Sequence, residues 1–291
     1  MINKGFYEKL AGNIGIPRQT TEIILSLYDT FGDLAEQQEE LFSAGHNIKL
    51  TEARLKEMAE AAGVNPYTLN FYLLFISAKR LCGIYERQGI SEEMFITAMN
   101  DLTCKLRECK EEHGVYGTFV FDWFPGWYRM TRFALGRLQY DVMDYRWDKY
   151  EKNSYIVSEG DRIYNCHIPS AGPLTRELCF NSYVRASAFF NAKPLVVICS
   201  SWLLYPPQRE FLPPGSRVLS FMDDFDVISS SDSKGFPDAW RVFGKEHKKM
   251  PGEWPRDTSL RRAYADRIVS GKPVGEGKGI LIFDNGKIVN K

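Results

Sequence analysis

The hydrophobic pattern of the chain changes its period near residue 114. Before this point, apolar residues recur at the three- and four-residue spacing of amphipathic helices, whereas from about residue 131 they alternate or form short apolar runs. A helical pattern does not suit a strand, and an alternating pattern does not suit a helix. We therefore expect an α+β or α/β protein, in which a helical N-terminal part precedes a mixed β-sheet with flanking helices.

The length of 291 residues leaves room for about two domains. We predict a helical domain over residues 1–130, which ends in an aromatic-rich linker, and a mixed-sheet domain over residues 131–291. The linker, residues 114–131, contains seven aromatic residues. Such a segment favours a packed seam over a flexible tether, because it would not stay solvated. It either fills a core or forms one wall of a pocket between the two parts.

The pattern predicts individual elements along both parts. Glycine, proline and capping residues set their ends. Ser158 to Asp161 are predicted to form a hairpin turn between two strands. The predicted helices cover residues 23–31, 34–42, 51–62, 66–88, 91–113, 175–190 and 258–270, and the predicted strands cover 133–144, 155–157, 162–168, 194–199, 217–221, 226–229 and 280–283.

Charge and composition narrow the classes of partner. The 37 basic and 37 acidic residues cancel, so no overall field draws the protein to nucleic acid or to anionic lipid. The longest apolar-rich run, residues 69–76, is too short to cross a bilayer, and residues 1–17 lack the apolar core of a signal peptide. We expect a soluble, cytoplasmic protein that binds neither nucleic acid nor membrane. The six cysteines and four histidines lack metal-ligand spacing, so no metal is predicted.

Residues 57–73, EMAEAAGVNPYTLNFYL, resemble a helix-turn-helix, with glycine at the turn and Thr68-Leu69 opening the second helix. That second helix is apolar nearly all round, which is typical of a buried helix. Residues 1–113 carry 12 Lys and Arg against 17 Asp and Glu, and a net charge of −5 repels phosphate. We favour plain helix packing and keep a DNA-binding regulator as a weaker alternative.

The stretch Arg162–Phe190 reads as a strand, a tight loop and a helix that opens on Thr175. Main-chain N–H groups and the positive end of the helix dipole suit a pyrophosphate. Pro173 removes one of these donors, and an ordinary capped helix start is the alternative interpretation. The candidate cradle consists of Ser170, Ala171, Gly172, Leu174 and Thr175.

Three side chains are candidates for catalysis, although the chain contains no GxSxG, GxxxxGK[ST] or HExxH motif. His167 adjoins the loop and shares a strand face with Asn165, so it is a candidate general base. Asp141 and Gln139 lie on the face of their strand that a substrate would occupy, and Asp141 is the candidate for catalysis. Tyr205 follows a buried strand and is a candidate proton donor to a leaving thiolate. A satisfied structural histidine and a solvated strand face remain the alternatives for the first two.

Three segments, FALGRLQYDVMDY, HIPSAGPLTRELC and ICSSWLLYPPQREFLPPGSRVLSFMDDFDVI, together resemble a bacterial acyltransferase-like family. In that family a helical N-acyltransferase N-terminal domain precedes a GNAT-like C-terminal domain. The resemblance covers essentially the whole chain. The order of antiparallel strands, loop, helix and buried strand is likewise similar to the core of the GNAT superfamily of acyl-CoA-dependent N-acyltransferases.

The resemblance implies transfer of an acyl group from acetyl-CoA or another acyl-CoA to a small-molecule amine. It puts the main chain of Cys166 to Ile168 on pantetheine and the loop from Ser170 to Thr175 on pyrophosphate. The superfamily pattern in this loop is Arg or Gln followed by Gly-x-Gly, whereas this loop has one glycine and two prolines. The alternative from a different class is a catalytically inert GNAT-like module that binds a small molecule or a protein. The sequence does not determine the oligomeric state.

Overall fold

The computed structural model describes residues 3–32 and 34–291, so the predicted helical range 1–130 includes three positions outside the described residues. The chain divides into two compact units, one ending at Ala134 and the other covering Leu135–Lys291. The first unit is helical. Its elements are α1 (Lys4–Ile14), α2 (Arg18–Ser26), α3 (Tyr28–Phe31), α4 (Ala35–Phe42), α5 (Ile48–Ala61), α6 (Pro66–Arg87), α7 (Glu92–His113), a 3-10 turn (Phe121–Trp123) and α8 (Pro125–Tyr128).

Helix α6 forms the centre of the helical unit. All ten residues from Leu69 to Ala78 are buried, and the hydroxyl of Tyr7 donates to the carbonyl of Ile76 over 2.8 Å. A recognition helix needs polar side chains free to reach base edges, and this stretch has none. The structure therefore does not favour the DNA-binding alternative. No helix within residues 3–32 and 34–291 combines the length and the apolar character that crossing a membrane requires.

Local capping explains where the predicted helices were right and where they were wrong. Asn65 caps α6 by accepting from the N–H of Tyr67 at 2.9 Å, with proline at the first helical position. The predicted start at Thr51 was wrong, because Asn47 caps α5 one turn earlier. Thr51 is instead fully buried, and its hydroxyl donates to the carboxylate of Glu40. The predicted helix over residues 23–31 divides into α2 and α3.

The aromatic-rich stretch packs inside the helical unit. Trp127 is fully buried in the core cluster of this unit. The carboxylate of Asp101 on α7 accepts from the indole N–H of Trp123 at 2.6 Å and from that of Trp127 at 3.3 Å. Of the two alternatives for this stretch, core filling therefore describes its buried residues, which are Phe121, Phe124, Trp127 and Tyr128.

The second unit is built on a mixed sheet. The strand β1 (Arg132–Leu135) contains the boundary between the units. The remaining elements are β2 (Leu138–Asp144), β3 (Tyr150–Lys152), β4 (Tyr155–Val157), β5 (Arg162–His167), α9 (Arg176–Phe189), β6 (Leu195–Ser201), α10 (Arg217–Met222), β7 (Asp226–Ser233), α11 (Ala239–Phe243), α12 (Ser259–Val269), β8 (Val274–Asp284) and β9 (Lys287–Ile288), with four short 3-10 turns among them.

The strands of the main sheet follow the order β2, β5, β6, β8, β7, and β9 pairs with β8. The pair β5–β6 is parallel, whereas β2–β5, β6–β8 and β7–β8 are antiparallel. On one face, an apolar cluster packs Ile163 and Ile198 against Tyr145 and Tyr150. The structure therefore contains the predicted mixed sheet with flanking helices, and the predicted fold class is confirmed.

The strand predicted over residues 133–144 was wrong in one respect, because the chain turns at Gly136-Arg137 between β1 and β2. Gly136 has a φ of +81°, and a Cβ there would approach the hydroxyl of Ser182 to 2.9 Å. That hydroxyl accepts from the N–H of Leu138 at 3.1 Å. Glycine is thus required at this position both by the backbone conformation and by the close approach of α9.

Two further predictions of strand arrangement were wrong. The turn at Ser158–Asp161 forms, but β4 pairs with β3 in a separate two-stranded sheet and β5 pairs with β2, so the turn joins two sheets. The strand predicted over residues 217–221 is the helix α10, which begins when Ser216 accepts from the N–H of Val218 at 3.3 Å. Burial of Val218, Phe221 and Met222 stabilises this helical turn.

Candidate active site

His167 and Asp141 meet on adjacent strands. His167 ends β5, Asp141 lies within β2, and the imidazole Nε2 is 2.9 Å from the carboxylate Oδ2. The two side chains are 22% and 23% exposed, so they are partly shielded but reachable. The amide nitrogen of Asn165 lies 3.3 Å from the same Nε2. The structure thus joins two of the three predicted catalytic residues in one hydrogen-bonded pair.

A fourth polar residue, Gln139, lies on this face beside Asp141, although the sequence assigned it no catalytic or binding role. The antiparallel register sets Gln139 opposite His167 and Asp141 opposite Asn165, and residues opposite one another share a face. We call these four residues the polar patch. Gln139 is buried, and its Oε1 has no hydrogen-bond partner among the described residues. Strand alternation puts Gln139 beside Asp141, but only the register reveals its position opposite His167.

The parallel strands β5 and β6 pair over a short length next to this patch. In the described part of the chain their register covers Tyr164–Val197 and Asn165–Ile198 only. Beyond it, β5 stays paired with β2 through His167, and β6 stays paired with β8 through Ser201. The carboxyl ends of β5 and β6 therefore separate, which leaves the facing main-chain groups outside the ladder. Open sheets of this kind take ligands at carboxyl ends.

Two buried thiols lie where the pairing of β5 with β6 ends. Cys166 and Cys199 are both buried and occupy the next register position. Burial raises the pKa of the Cys166 thiol well above its usual range. A thiol in this state is a poor nucleophile. The buried Cys166 thiol is therefore not a candidate nucleophile, and the main chain of Cys166 remains for the predicted pantetheine contact.

The predicted cradle residues form the loop between β5 and α9. Thr175 caps α9 by accepting from the N–H of Leu178 at 3.4 Å. Gly172 adopts a φ of +72°. Arg137, which has no local sequence signal of a binding role, donates from Nε to the carbonyl of Pro173 at 3.0 Å and from Nη2 to that of Gly172 at 3.4 Å. The loop thus carries Ser170, Ala171, Gly172, Leu174 and Thr175 together, with Ile168 at its start.

Arg137 also determines the direction of one main-chain donor. The C=O and N–H groups of a trans peptide point in opposite directions. Because the carbonyl of Pro173 points to Arg137, the N–H of Leu174 points away from Arg137. The positive charge of this guanidinium acts on the thiols of Cys166 and Cys179, where it opposes the rise in pKa that burial causes. The loop therefore combines a cation with the positive end of the α9 dipole, which is a donor set that suits a pyrophosphate.

Tyr205 does not join the polar patch. It is buried beyond β6, and its hydroxyl donates to the carboxylate of Asp232 on β7 at 2.5 Å. Its ring lies so close to β8 that a Cβ on Gly275 would approach it to 2.9 Å. Burial, and then the bond to Asp232, raise the pKa of Tyr205, which makes it a weaker acid. Its role as a proton donor stays a prediction.

A second carboxylate, that of Asp224, is hydrogen-bonded to a residue of α9. Asp224 is buried and accepts from the hydroxyl of Tyr183 at 3.2 Å. The cations nearest to it are Arg176 at 4.0 Å and Lys291 at 3.6 Å. Burial raises the pKa of Asp224 despite these two cations. Within residues 3–32 and 34–291, no three His, Cys, Asp or Glu residues converge in a way that would hold a metal ion.

Comparison with known proteins identifies both parts of the chain. Residues 6–130 match the N-acyltransferase N-terminal domain family, and residues 133–281 match the GNAT-like C-terminal domain family. Comparison with curated proteins finds no match.

The fold is similar to that of several solved acyltransferase structures. An acyltransferase in complex with decanoyl-CoA and teicoplanin is 18% identical, with a TM-score of 0.65 over 95% of this chain and 99% of that chain. An acyltransferase in complex with decanoyl-CoA is 19% identical, with a TM-score of 0.64 over 94% and 98%. A mutant acyltransferase in complex with octanoyl-CoA is 18% identical, with a TM-score of 0.65 over the same shares.

At these identities the structures establish the fold, and the family matches establish the relationship. The likeness extends over nearly the full length of both chains, so the helical unit and the sheet unit are both included. The resemblance inferred from the three sequence segments is confirmed. This chain belongs to the GNAT-like C-terminal domain family, with an N-acyltransferase N-terminal domain preceding that domain.

Proposed function

We propose that this protein is an acyl-CoA-dependent N-acyltransferase, which moves an acyl group from CoA to a small-molecule amine. The observation that carries the proposal is the separation of β5 from β6 beside the His167–Asp141 pair. A ligand that lies along the end of β5 would have free main-chain groups on one side and a paired histidine close by. The fold likeness to acyltransferases in complex with decanoyl-CoA and octanoyl-CoA supports the same assignment.

The residues of the loop fit the phosphate end of CoA. The main chain from Cys166 to Ile168 would hold pantetheine, and the cradle from Ser170 to Thr175 would hold the pyrophosphate. Arg137 supplies charge at the loop, and the N–H of Leu174 supplies a donor directed away from that guanidinium. Pro173 has no main-chain N–H to donate. The N-terminal end of α9 and Arg137 would therefore supply a larger share of the anion binding than they would beside a glycine-rich loop.

A neutral amine would attack the thioester carbon of bound acyl-CoA, so that the C–N bond forms and the C–S bond breaks. CoA leaves as its thiolate and takes up the proton that the nitrogen loses as the amide forms. An amine in water near neutral pH is mostly protonated, so the site must take one proton from it. We assign this step to His167. Asp141 orients the imidazole and stabilises the imidazolium that forms, as a carboxylate does beside a catalytic histidine.

Gln139 has a positioning role in this proposal. Its buried Oε1 lacks a partner, and a buried acceptor without a hydrogen bond costs about 1–3 kcal/mol. An N–H of the bound amine or of pantetheine would satisfy it. Since Gln139 lies opposite His167, the same contact would hold the amine near the base.

A transfer assay tests the proposal. The full chain is incubated with decanoyl-CoA and a panel of primary amines, among them teicoplanin, which a structural neighbour binds. Released CoA thiol is followed by colour, and acylated amine is followed by mass spectrometry. We expect thiol release that depends on amine and matches the acylated product mole for mole.

Two outcomes would count against the proposal. Thiol release without acylated amine would indicate thioester hydrolysis, and acylation that persists unchanged in His167→Gln would remove the assigned base. His113→Gln is the matched control, because His113 lies at the end of α7 in the helical unit, where it contacts Tyr67 and Phe119.

A further inference from the structure

The helical unit contains a cavity that the proposed reaction does not use. It has a volume of ≈ 430 Å³ and lies where α1, the end of α6 and the start of α7 meet. Cavities that hold small ligands have volumes of about 300–1,000 Å³ and mostly apolar walls with a few polar groups. Its floor is apolar and includes the ring pair Tyr85–Phe95, whose centroids are 5.8 Å apart. The apolar lining consists of Phe6, Leu10, Tyr85, Ile90, Phe95 and Ile96.

The rim of the cavity is charged and carries an excess of negative charge. Lys9, Glu86 and Glu92 line it. Lys9 pairs with Glu92 at 3.2 Å, and both side chains are more than two-thirds exposed, so the pair is weak and opens at little cost. Burial first, and then the bond to Glu86 and the charges of both glutamates, raise the pKa of Cys82 in the cavity wall to about 11.

Glu86 is the carboxylate that lacks a cation. Within residues 3–32 and 34–291 its carboxylate makes no ion pair, and the one hydrogen bond of that carboxylate is from the Cys82 thiol at 3.5 Å. It also lies in the last turn of α6, where the negative end of the helix dipole opposes a negative side chain. A cation at this position would give the Glu86 carboxylate an ionic partner and would offset the repulsion from the helix dipole.

We infer that this cavity binds a small organic ammonium ion, a primary amine with an alkyl or aryl body. The ammonium group would bind Glu86, with Glu92 as a second carboxylate on the same rim. The apolar body would lie on the aromatic floor formed by Tyr85 and Phe95. The inference does not rest on the proposed acyl transfer, because it uses only residues of the helical unit.

The test compares three ligands that share one apolar body. Hexylamine, hexanol and hexanoate are titrated separately into the full chain, and binding is followed by ligand-detected NMR and calorimetry. We expect hexylamine to bind at least about tenfold more tightly than hexanol, because it gains a charged contact of about 1.4 kcal/mol or more. Hexanoate should bind most weakly.

Two variants locate the site. Glu86→Gln should remove the preference for hexylamine over hexanol, and Glu57→Gln, an exposed glutamate on α5, should leave it unchanged. Both are surface substitutions that keep side-chain size, so folding is maintained. Equal binding of amine and hexanoate, absence of saturable amine binding, or an unchanged preference in Glu86→Gln would each overturn the inference. None of these readouts involves acyl-CoA, so failure here leaves the transfer proposal standing.

Discussion

Asp101 and Asp141 make the same kind of hydrogen bond in the two units, with different chemical consequences. Each aspartate accepts from the ring nitrogen of an aromatic side chain: Asp101 from the indoles of Trp123 and Trp127, Asp141 from the imidazole of His167. Asp101 is 2% exposed, whereas the side chain of Asp141 is 23% exposed.

The difference between the pairs lies in the ring. An indole N–H does not ionise near neutral pH, so its bond to a buried carboxylate can only hold structure. An imidazole gains and loses a proton in that range, so its bond to a reachable carboxylate can serve catalysis. The first pair should therefore control the stability of the helical unit, and the second should control the rate of acyl transfer.

The largest effect should follow from loss of the imidazole. We expect His167→Gln to lower kcat for acyl transfer by about 10²–10⁴-fold, the usual range for a general base. Thermal unfolding of the variant should match the wild type, because His167 is partly exposed. A kcat within about threefold of the wild type would contradict the role of His167.

The reciprocal aspartate variants separate the two kinds of pair. Asp101→Asn replaces charge-assisted bonds to two indoles and should cost about 2 kcal/mol in the free energy of unfolding. Asp141→Asn should leave that free energy nearly unchanged. Denaturant titration with tryptophan fluorescence measures both variants on one scale.

In the transfer assay we expect the opposite order, with the larger loss in Asp141→Asn than in Asp101→Asn. Asp141→Asn should lower kcat by at least about tenfold, because the imidazolium loses its carboxylate. Asp101→Asn should retain wild-type kcat at a temperature where it is folded. If both variants lose stability and activity to the same degree, the distinction between the two pairs is wrong.

A smaller effect should follow from Arg137, which we assign to the cofactor side of the proposed site. Arg137→Met removes two bonds to the loop and its charge. We expect KM for acyl-CoA to rise about tenfold, which corresponds to about 1.4 kcal/mol, with kcat less affected. Arg137→Lys keeps the positive charge but cannot make the two parallel hydrogen bonds of a guanidinium to the loop carbonyls. Full recovery in Arg137→Lys would assign the effect to charge, and no recovery would assign it to the hold on the carbonyls of Gly172 and Pro173.

The smallest effect concerns a third aspartate, Asp224, which accepts from a phenol. Burial raises its pKa in the folded protein above the unfolded value. The contribution of Asp224 to stability should therefore be largest below the unfolded pKa and should be lost as pH rises through the folded pKa. Asp224→Asn should flatten this part of the curve, measured by denaturant unfolding between about pH 3 and pH 7. An equally steep curve in the variant would assign the dependence to other groups.

Long helices and capped ends were predictable because their signals are local. Asn65-Pro66 and Ser91 mark helix starts through contacts within three residues, and Thr175 does the same for α9. Strand pairing was not predictable in the same way. The turn at Ser158–Asp161 reads as a hairpin, but which strands pair depends on packing across the sheet, which the local sequence does not encode.

A glycine-rich segment caused the other error in the predicted strands. The final strand was predicted over residues 280–283 but begins at Val274, because alternate glycines look like a loop. They are needed for close approach: a Cβ on Gly279 would lie 2.8 Å from Phe225, and one on Gly277 would overlap the chain at Leu204. At the site, the alternation of Asp141 was readable, but its contact with His167 required the register between β2 and β5.

Calorimetric titration of the full chain with decanoyl-CoA measures acyl-CoA binding itself, on which the proposed function of the gap beside His167 depends. We expect saturable binding of one ligand per chain in the micromolar range, weakened in Arg137→Met. Absence of saturable heat up to about 1 mM decanoyl-CoA, above the usual range of substrate affinities, would contradict the proposed function.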